Sequence, residues 1–205
     1  MIDTRCADGT IALVPEERTR RMASRYDAII ATLVGLCALC VSGYTAYMQR
    51  QQVRAAVWPI LQFNSSNAPD IHFTLANKGV GPAIIQHVVV NVDDQPVRNW
   101  HEALNILLGP GEHHGAETDM NGSVLAAGES MIVLAPFDSE GKPFISGRSD
   151  AEWDKMNKAR ERVRVEICYC SALGECWTLN ASGGSGRSST VAGSCRSSSA
   201  ISFEQ

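Results

Sequence analysis

The chain lacks a surplus of positive charge: its 205 residues hold 18 Lys and Arg against 22 Asp and Glu, a formal net charge of -4. With no long Lys/Arg stripe to neutralise phosphates, no nucleic-acid partner is expected. Aromatic residues are scarce at 6%, which favours a core of Val, Ile and Leu over an aromatic-walled ligand pocket. The nucleophile elbow, the Walker loop, the H-E-x-x-H helix and the kinase motif set are also missing. Without an ordered nucleophile, base and orienter, no catalytic residue can be assigned and no cofactor is expected.

What the chain does contain is one long stretch without charge. Residues 28 to 48 would make a helix about 30 Å long, which matches the hydrocarbon core of a bilayer. Tyr26, Tyr44 and Tyr47 stand where interfacial aromatics belong. A cleaved signal peptide needs a shorter apolar stretch and a small-x-small site, of which Gly43-Tyr44-Thr45 is a weak version, so the segment reads as an uncleaved, single-pass signal-anchor. Arg18, Arg20, Arg21 and Arg25 precede it and Arg50 and Arg54 follow, an imbalance that puts the amino terminus inside. A start at Met22 would remove three of the four leading arginines and weaken that orientation.

Within the span, Ala28, Ala31, Gly35, Ala38, Ser42 and Thr45 recur at 3-4-3-4-3 spacing, one helix face on which close self-association would be sterically allowed. Small residues are common throughout the span, so packing chance alone is the competing reading. Cys37 and Cys40 form C-x-x-C in mid-span. They lack the helix amino terminus that activates a thioredoxin-type thiol and read as lipid-facing or packing residues.

Beyond the span, proline restricts its preceding residue, so the helix should stop before Trp58-Pro59. Residues 57 to 63 read as a first strand, Ile71, Phe73 and Leu75 mark a second, and residues 84 to 92 a third, apolar on both faces and therefore central. A turn is expected at Asp93-Asp94-Gln95-Pro96. Trp100, Ala103, Leu104 and Leu107 then follow helical spacing, with Asn99 as cap, Glu102 at N3 and Gly109-Pro110 as stop. Ser149 and Glu152 predict a second capped helix with Trp153 and Met156 inward. Both helices read as covers on a sheet edge. Between them, Val124-Leu125 and residues 131 to 134 suggest two strands joined at Ala127-Gly128-Glu129.

The stretch from Phe73 to Ile85, F-T-L-A-N-K-G-V-G-P-A-I-I, resembles the N-x-G-x-G-P-A turn of Ig-like (CARDB-like) β-sandwich domains in bacterial single-span envelope proteins. A β run follows these glycines where a dinucleotide loop needs a third glycine and a helix, so phosphate binding is not implied. The resemblance implies a mainly β, Ig-like sandwich with two short helical insertions. It also implies a bacterial envelope setting, with the anchor in the inner membrane and the carboxy-terminal domain in the periplasm. No activity or catalytic residue comes with it.

Four of the seven cysteines, Cys168, Cys170, Cys176 and Cys195, fall on the side expected to be oxidising. Val163, Val165, Ile167 and Tyr169 alternate with Arg164, Glu166, Cys168 and Cys170. A five-residue loop at 171 to 175 would set Cys170 opposite Cys176, Tyr169 opposite Trp177 and Ile167 opposite Leu179, keeping every apolar residue on one face. A Cys170–Cys176 bridge is the favoured pairing, with Cys168–Cys195 left over, although sequence cannot fix connectivity. Zinc held by the four thiols, or thiols left free, are the alternatives, and Cys-x-Cys does not match zinc-knuckle spacing.

Glu112-His113-His114 with Glu117 and Asp119 offers imidazole and carboxylate donors in a loop, and a solvated polar loop is the plainer reading. His72, His87 and His101 sit on strand or helix positions and read as packing or surface residues. The expected organisation is a cytoplasmic segment at 1–25, a transmembrane helix with juxtamembrane extension at 26–56, the sandwich at 57–180 and a Ser/Gly-rich tail at 181–205. That tail has little to bury, apart from residues 200 to 203 as an edge strand and Cys195 as a tether. The functional expectation is a membrane-anchored extracytoplasmic interaction or assembly module, partnered by the membrane, by itself through the helix, and by an unidentified envelope protein. The alternative is a metal- or thiol-dependent envelope enzyme or redox sensor.

Overall fold

The computed structural model describes residues 16–145, 151–183, 187–195 and 203–204. The chain divides into two units, Met1–Gln52 and Val53–Gln205. The first consists, in its described part, of helix α1 (Glu16–Ala56), whose last turn belongs to the second unit. The sequence predicts no helix before residue 25, yet α1 starts at Glu16. Glu, Arg, Met and Ala are good helix formers, and a helix that is already nucleated downstream extends without needing an apolar face of its own. From Arg25 to Ala56 it is long and apolar enough to cross a membrane, and none of that stretch is buried. Residues 1–15, which hold most of the expected cytoplasmic segment, lie outside the described residues.

The second unit holds ten strands, two further α-helices and a short 3-10 turn at Arg160–Arg162 among its described residues. In chain order they are β1 (Leu61–Ser66), β2 (His72–Asn77), β3 (Ala83–Val92), β4 (Gln95–Val97), α2 (Trp100–Leu108), β5 (Gly115–Glu117), β6 (Val124–Leu125), β7 (Ser130–Pro136), α3 (Ala151–Ala159), β8 (Val163–Cys170), β9 (Cys176–Ser182) and β10 (Arg187–Ala192). Every strand pairing is antiparallel. One sheet has the order β1-β2-β7-β5; the other runs β10-β9-β8-β3-β4, with β6 pairing to the start of β3. The architecture is mixed, with two antiparallel sheets plus helices. β3 lies inside its sheet, as expected of a strand apolar on both faces, and a register shift between Ile85 and His87 switches its alternation, so that Ala83 and Ile85 before it and Val88, Val90 and Val92 after it all join the core.

The first strand begins at Leu61, later than the expected 57. Val57 closes the end of α1 by donating to the Arg54 carbonyl, and the Trp58 and Ile60 carbonyls accept from Val80 and Lys78 in the glycine turn. Residues 57 to 60 therefore pair with a turn, where Pro59 needs no donor, and the sheet starts after them. Asn77 organises this corner. Fully buried, its Oδ1 accepts from the N–H groups of Ile60 (3.2 Å) and Gly79 (3.0 Å), and its Nδ2 donates to the carbonyls of Gly81 (2.7 Å) and Leu125 (3.1 Å). The four hydrogen-bonding positions of the amide are thus all used.

Strands β6 and β7 are present where the sequence places two strands, but they do not pair with each other: β6 joins β3 and β7 joins β2 and β5. The turn at Gly128, with φ 78°, carries the chain from one sheet to the other. At the far end of β3, Asp93 and Asp94 take φ 51° and 65°, the mirror-turn geometry of a two-residue hairpin into β4. Arg162 and Arg164 pair with those two aspartates, and the Arg162 hydrogen bond holds the Asp93 carboxyl below its usual range.

The inner faces of both sheets share one apolar cluster, and α2 belongs to it. Sequence predicts an edge cover; instead Trp100, Ala103, Leu104 and Leu107 are all buried. Phe63, Phe73, Trp100 and Phe203 contact ring to ring at centroid distances of 5.8, 5.9 and 5.1 Å. An aromatic column therefore stands in a core expected to be aliphatic. Helix α3 buries Met156 and packs Trp153 against the core, while Ser149, its expected cap, lies outside the described residues. The tail is more structured than its composition predicts: β10 pairs with β9, and Phe203 is buried. Residues 200 to 202, part of the expected edge strand, lie outside the described residues.

The α2 cap behaves as its sequence predicts. Asn99 Oδ1 accepts from the Glu102 N–H at 2.9 Å, and Glu102 reaches back to the N–H of Arg98 at 2.7 Å. Asn99→Ala should cost about 1 kcal/mol and lower the melting temperature by about 3 °C. A thermal scan followed by tryptophan fluorescence reads it, because all four tryptophans lie in the second unit.

Candidate functional site

The densest chemistry lies on the β8–β9 hairpin. β8 buries Val163, Val165, Ile167 and Tyr169 and turns Arg164 and Glu166 outward, a strand with one face in the core. The loop closes as expected from its length, with Ser171 N–H donating to the Glu175 carbonyl at 2.8 Å and Gly174 at φ 78°. Ser171 Oγ also accepts from the N–H groups of Leu173 and Glu175, both at 3.3 Å. This register sets Ile167 opposite Leu179, Tyr169 opposite Trp177 and Cys170 opposite Cys176.

Two disulfides follow, Cys170–Cys176 and Cys168–Cys195, with Cα separations of 4.0 and 5.6 Å. The second ties the segment after β10 back to β8, across 27 residues of sequence. The bridges touch: Cys170 Sγ lies 3.7 Å from Cys195 Sγ. The sulfurs of Cys170, Cys176 and Cys195 all lie within 4.8 Å of one another. As disulfides they are poor metal ligands, because the thiolate is the ligating form. Cys170 and Cys176 are nearly buried, whereas Cys168 and Cys195 are half-buried.

Beside the hairpin an open cleft is lined by Gly174, Glu175, Cys176, Trp177 and Val191. Trp177 stacks on Trp58 at 6.4 Å and packs against Tyr169 at 5.9 Å. Arg54 pairs with Glu175 at 3.1 Å, so the loop is clasped by the residues that open the second unit.

The histidine loop gathers less. His113 Nε2 hydrogen-bonds the Gly109 carbonyl at 2.7 Å, and His114 offers its carbonyl to Phe137 N–H. Glu117 stands in β5, where burial raises its carboxyl above the usual range against the opposing pull of His101, with Asp119 adding to the rise. Glu112 and His113 line a cavity of about 150 Å³ with Leu108, Phe144, Glu152 and Lys155. Among the described residues only the cysteines bring three metal-capable side chains together. His72 bonds the Asp70 carbonyl, His101 is exposed on α2, and His87 stands opposite Cys168 on β3. His87 Nε2 is buried without a hydrogen-bond partner among the described residues.

On α1, Ala28, Ala31, Gly35, Ala38, Ser42 and Thr45 are all helical and exposed, as are the free thiols of Cys37 and Cys40. The Ser42 and Thr45 hydroxyls donate to the carbonyls of Ala38 and Val41, both at 2.8 Å. Sequence reasoning missed two features here. One is Asn77, which looks like an ordinary turn residue; the other is the contact between the two disulfides, which needs the position of Cys195. No protein-family model, curated protein or solved structure matches this chain.

Proposed function

We propose that this protein is a membrane-anchored, extracytoplasmic interaction or assembly module, held in a bacterial inner membrane by α1 with its disulfide-bonded domain in the periplasm. One observation carries the reading: a helix long and apolar enough to span a bilayer, with none of its span buried, leads into a two-sheet domain closed by two disulfides. Disulfides persist in oxidising compartments, and the arginine excess before the span favours the same orientation. The hydroxyls of Ser42 and Thr45, satisfied within their own helix, suit an apolar surrounding.

Strand order supports an Ig-like sandwich. The order β1-β2-β7-β5 corresponds to A-B-E-D of an immunoglobulin-type domain, and β9-β8-β3-β4 to G-F-C-C′, with β10 as an extra edge strand. Such domains bind through edges and end loops, which suits a module whose partner is another envelope protein.

A reporter active only outside the cytoplasm, fused after Gln205, should be active; activity from a cytoplasmic reporter alone overturns the orientation. Self-association through α1 has a separate test. A side chain added at Gly35 meets nothing within 4 Å in one chain, so Gly35→Leu should weaken dimerisation in a membrane assay about tenfold by separating the helices. Equal losses from Leu36 or Leu39 substitutions remove the small-residue face as the cause.

A further inference from the structure

We propose that the two disulfides form one exchange-coupled site that takes a dithiol as its reducing substrate and passes the resulting thiol from Cys168 to Cys176 through a third bridge, Cys170–Cys195. The geometry that carries this is the 3.7 Å separation of Cys170 Sγ and Cys195 Sγ. That is van der Waals contact between one sulfur from each bridge. Exchange proceeds by attack of a thiolate on a neighbouring disulfide sulfur, so whichever bridge opens first, the sulfur it frees starts 3.7 Å from its target and comes into line with the bond it breaks by side-chain rotation.

Exposure sets the order. Cys168 and Cys195 are half-buried, whereas Cys170 and Cys176 are 9% and 8% exposed, so the dithiol enters at the Cys168–Cys195 bridge, where attack on Cys168 frees Cys195 at the sulfur contact. Its thiolate bonds to Cys168 Sγ, the Cys168–Cys195 bond breaks, and the electron pair leaves on Cys195. The second thiol of the substrate gives its proton to solvent and attacks the substrate's own sulfur in the mixed disulfide. The substrate closes as a disulfide and Cys168 leaves as a thiolate that takes up a proton. The Cys195 thiolate then attacks Cys170 Sγ, forming Cys170–Cys195 and breaking Cys170–Cys176. Cys176 departs as a thiolate and is protonated. The substrate has lost two electrons and two protons, and the domain holds them as the thiols of Cys168 and Cys176.

Entry at the other bridge converges on the same product. If Cys170–Cys176 opens with Cys170 as leaving group, that thiolate attacks Cys195 and expels Cys168. Cys168 Sγ lies outside the group of three sulfurs within 4.8 Å of one another, so a Cys168–Cys176 bridge has no comparable approach. The exit point has a surface to act on, since Cys176 lines the open cleft beside Trp177 and Val191. None of this depends on membrane anchoring.

The test uses the full chain in detergent, with Cys6, Cys37 and Cys40 blocked by one maleimide and one equivalent of dithiothreitol as the probe. Acid quenching, labelling with a second maleimide and peptide mapping follow. In the species with two new thiols, the second label should sit on Cys168 and Cys176. The Cys170–Cys195 crosslink should exceed Cys168–Cys176 about tenfold. Cys168→Ser gives an independent reading, because its oxidised form should share the free thiol between Cys195 and Cys176. Label confined to the cysteines of a single native bridge, Cys170–Cys195 no more abundant than Cys168–Cys176, or a free thiol only at Cys195 in the variant overturns the proposal.

Discussion

Replacing Cys168 and Cys195 together with alanine is expected to destabilise the domain by about 3.5 kcal/mol, against about 2.5 kcal/mol for replacing Cys170 and Cys176. The difference comes from the unfolded chain. One bridge closes a sequence separation of 27 and the other a separation of 6, and the entropy removed from the unfolded ensemble grows with the logarithm of the loop. The longer bridge also ties the end of β10 back to β8, and β10 buries little by itself. For a unit of this size the pairs should lower the melting temperature by about 10 °C and about 7 °C. Tryptophan fluorescence of the full chain isolates the effect, as Trp58, Trp100, Trp153 and Trp177 all lie beyond residue 53. A larger loss from the short bridge would mean that native-state packing around Cys170 and Cys176 outweighs the chain entropy.

The hairpin was readable from sequence because two independent constraints agree there. Alternation puts Val163, Val165, Ile167 and Tyr169 on one face, and a five-residue loop keeps Leu179 and Trp177 on that same face while opposing Cys170 and Cys176. The amphipathic stripe of α2 was equally plain, but its place was not. Trp100 sits between Phe73, 27 positions earlier, and Phe203, over a hundred later, and nothing local announces either neighbour. Strands β5 and β10 escaped for a related reason. Gly115–Glu117 and Arg187–Ala192 carry no alternating apolar residues, so their extended form comes from the ladders offered by β7 and β9. In the candidate site, the cysteine pairs follow from register, while their mutual contact depends on where the chain turns after β10. The donors of the histidine loop are spread apart: His113 is engaged by the Gly109 carbonyl, while Glu117 stands in β5.

Asn77→Ala is expected to be the most damaging single substitution among the polar residues described, at about 4 kcal/mol. The amide joins the entry to β1, the glycine turn and β6 through four hydrogen bonds. Its loss leaves two N–H and two carbonyl groups short of a partner in a buried corner, each worth about 1 kcal/mol even when water reaches some of them. Asn77→Asp separates hydrogen bonding from volume. The carboxylate keeps the two acceptor positions facing Ile60 and Gly79 but sets negative oxygen against the carbonyls of Gly81 and Leu125. Burial and those carbonyls raise the new carboxyl's folded-state pKa above its unfolded value of about 3.9, so the folded form binds the proton more tightly. Stability in this variant should therefore be greatest at acid pH and fall as pH rises from about 4 through the folded-state pKa. Denaturant midpoints at pH 5 and pH 7, read by tryptophan fluorescence for parent and variant, measure it. An Asn77→Ala loss under about 1 kcal/mol, or an Asn77→Asp midpoint that tracks the parent at both pH values, would show that solvent, and not this side chain, satisfies the corner.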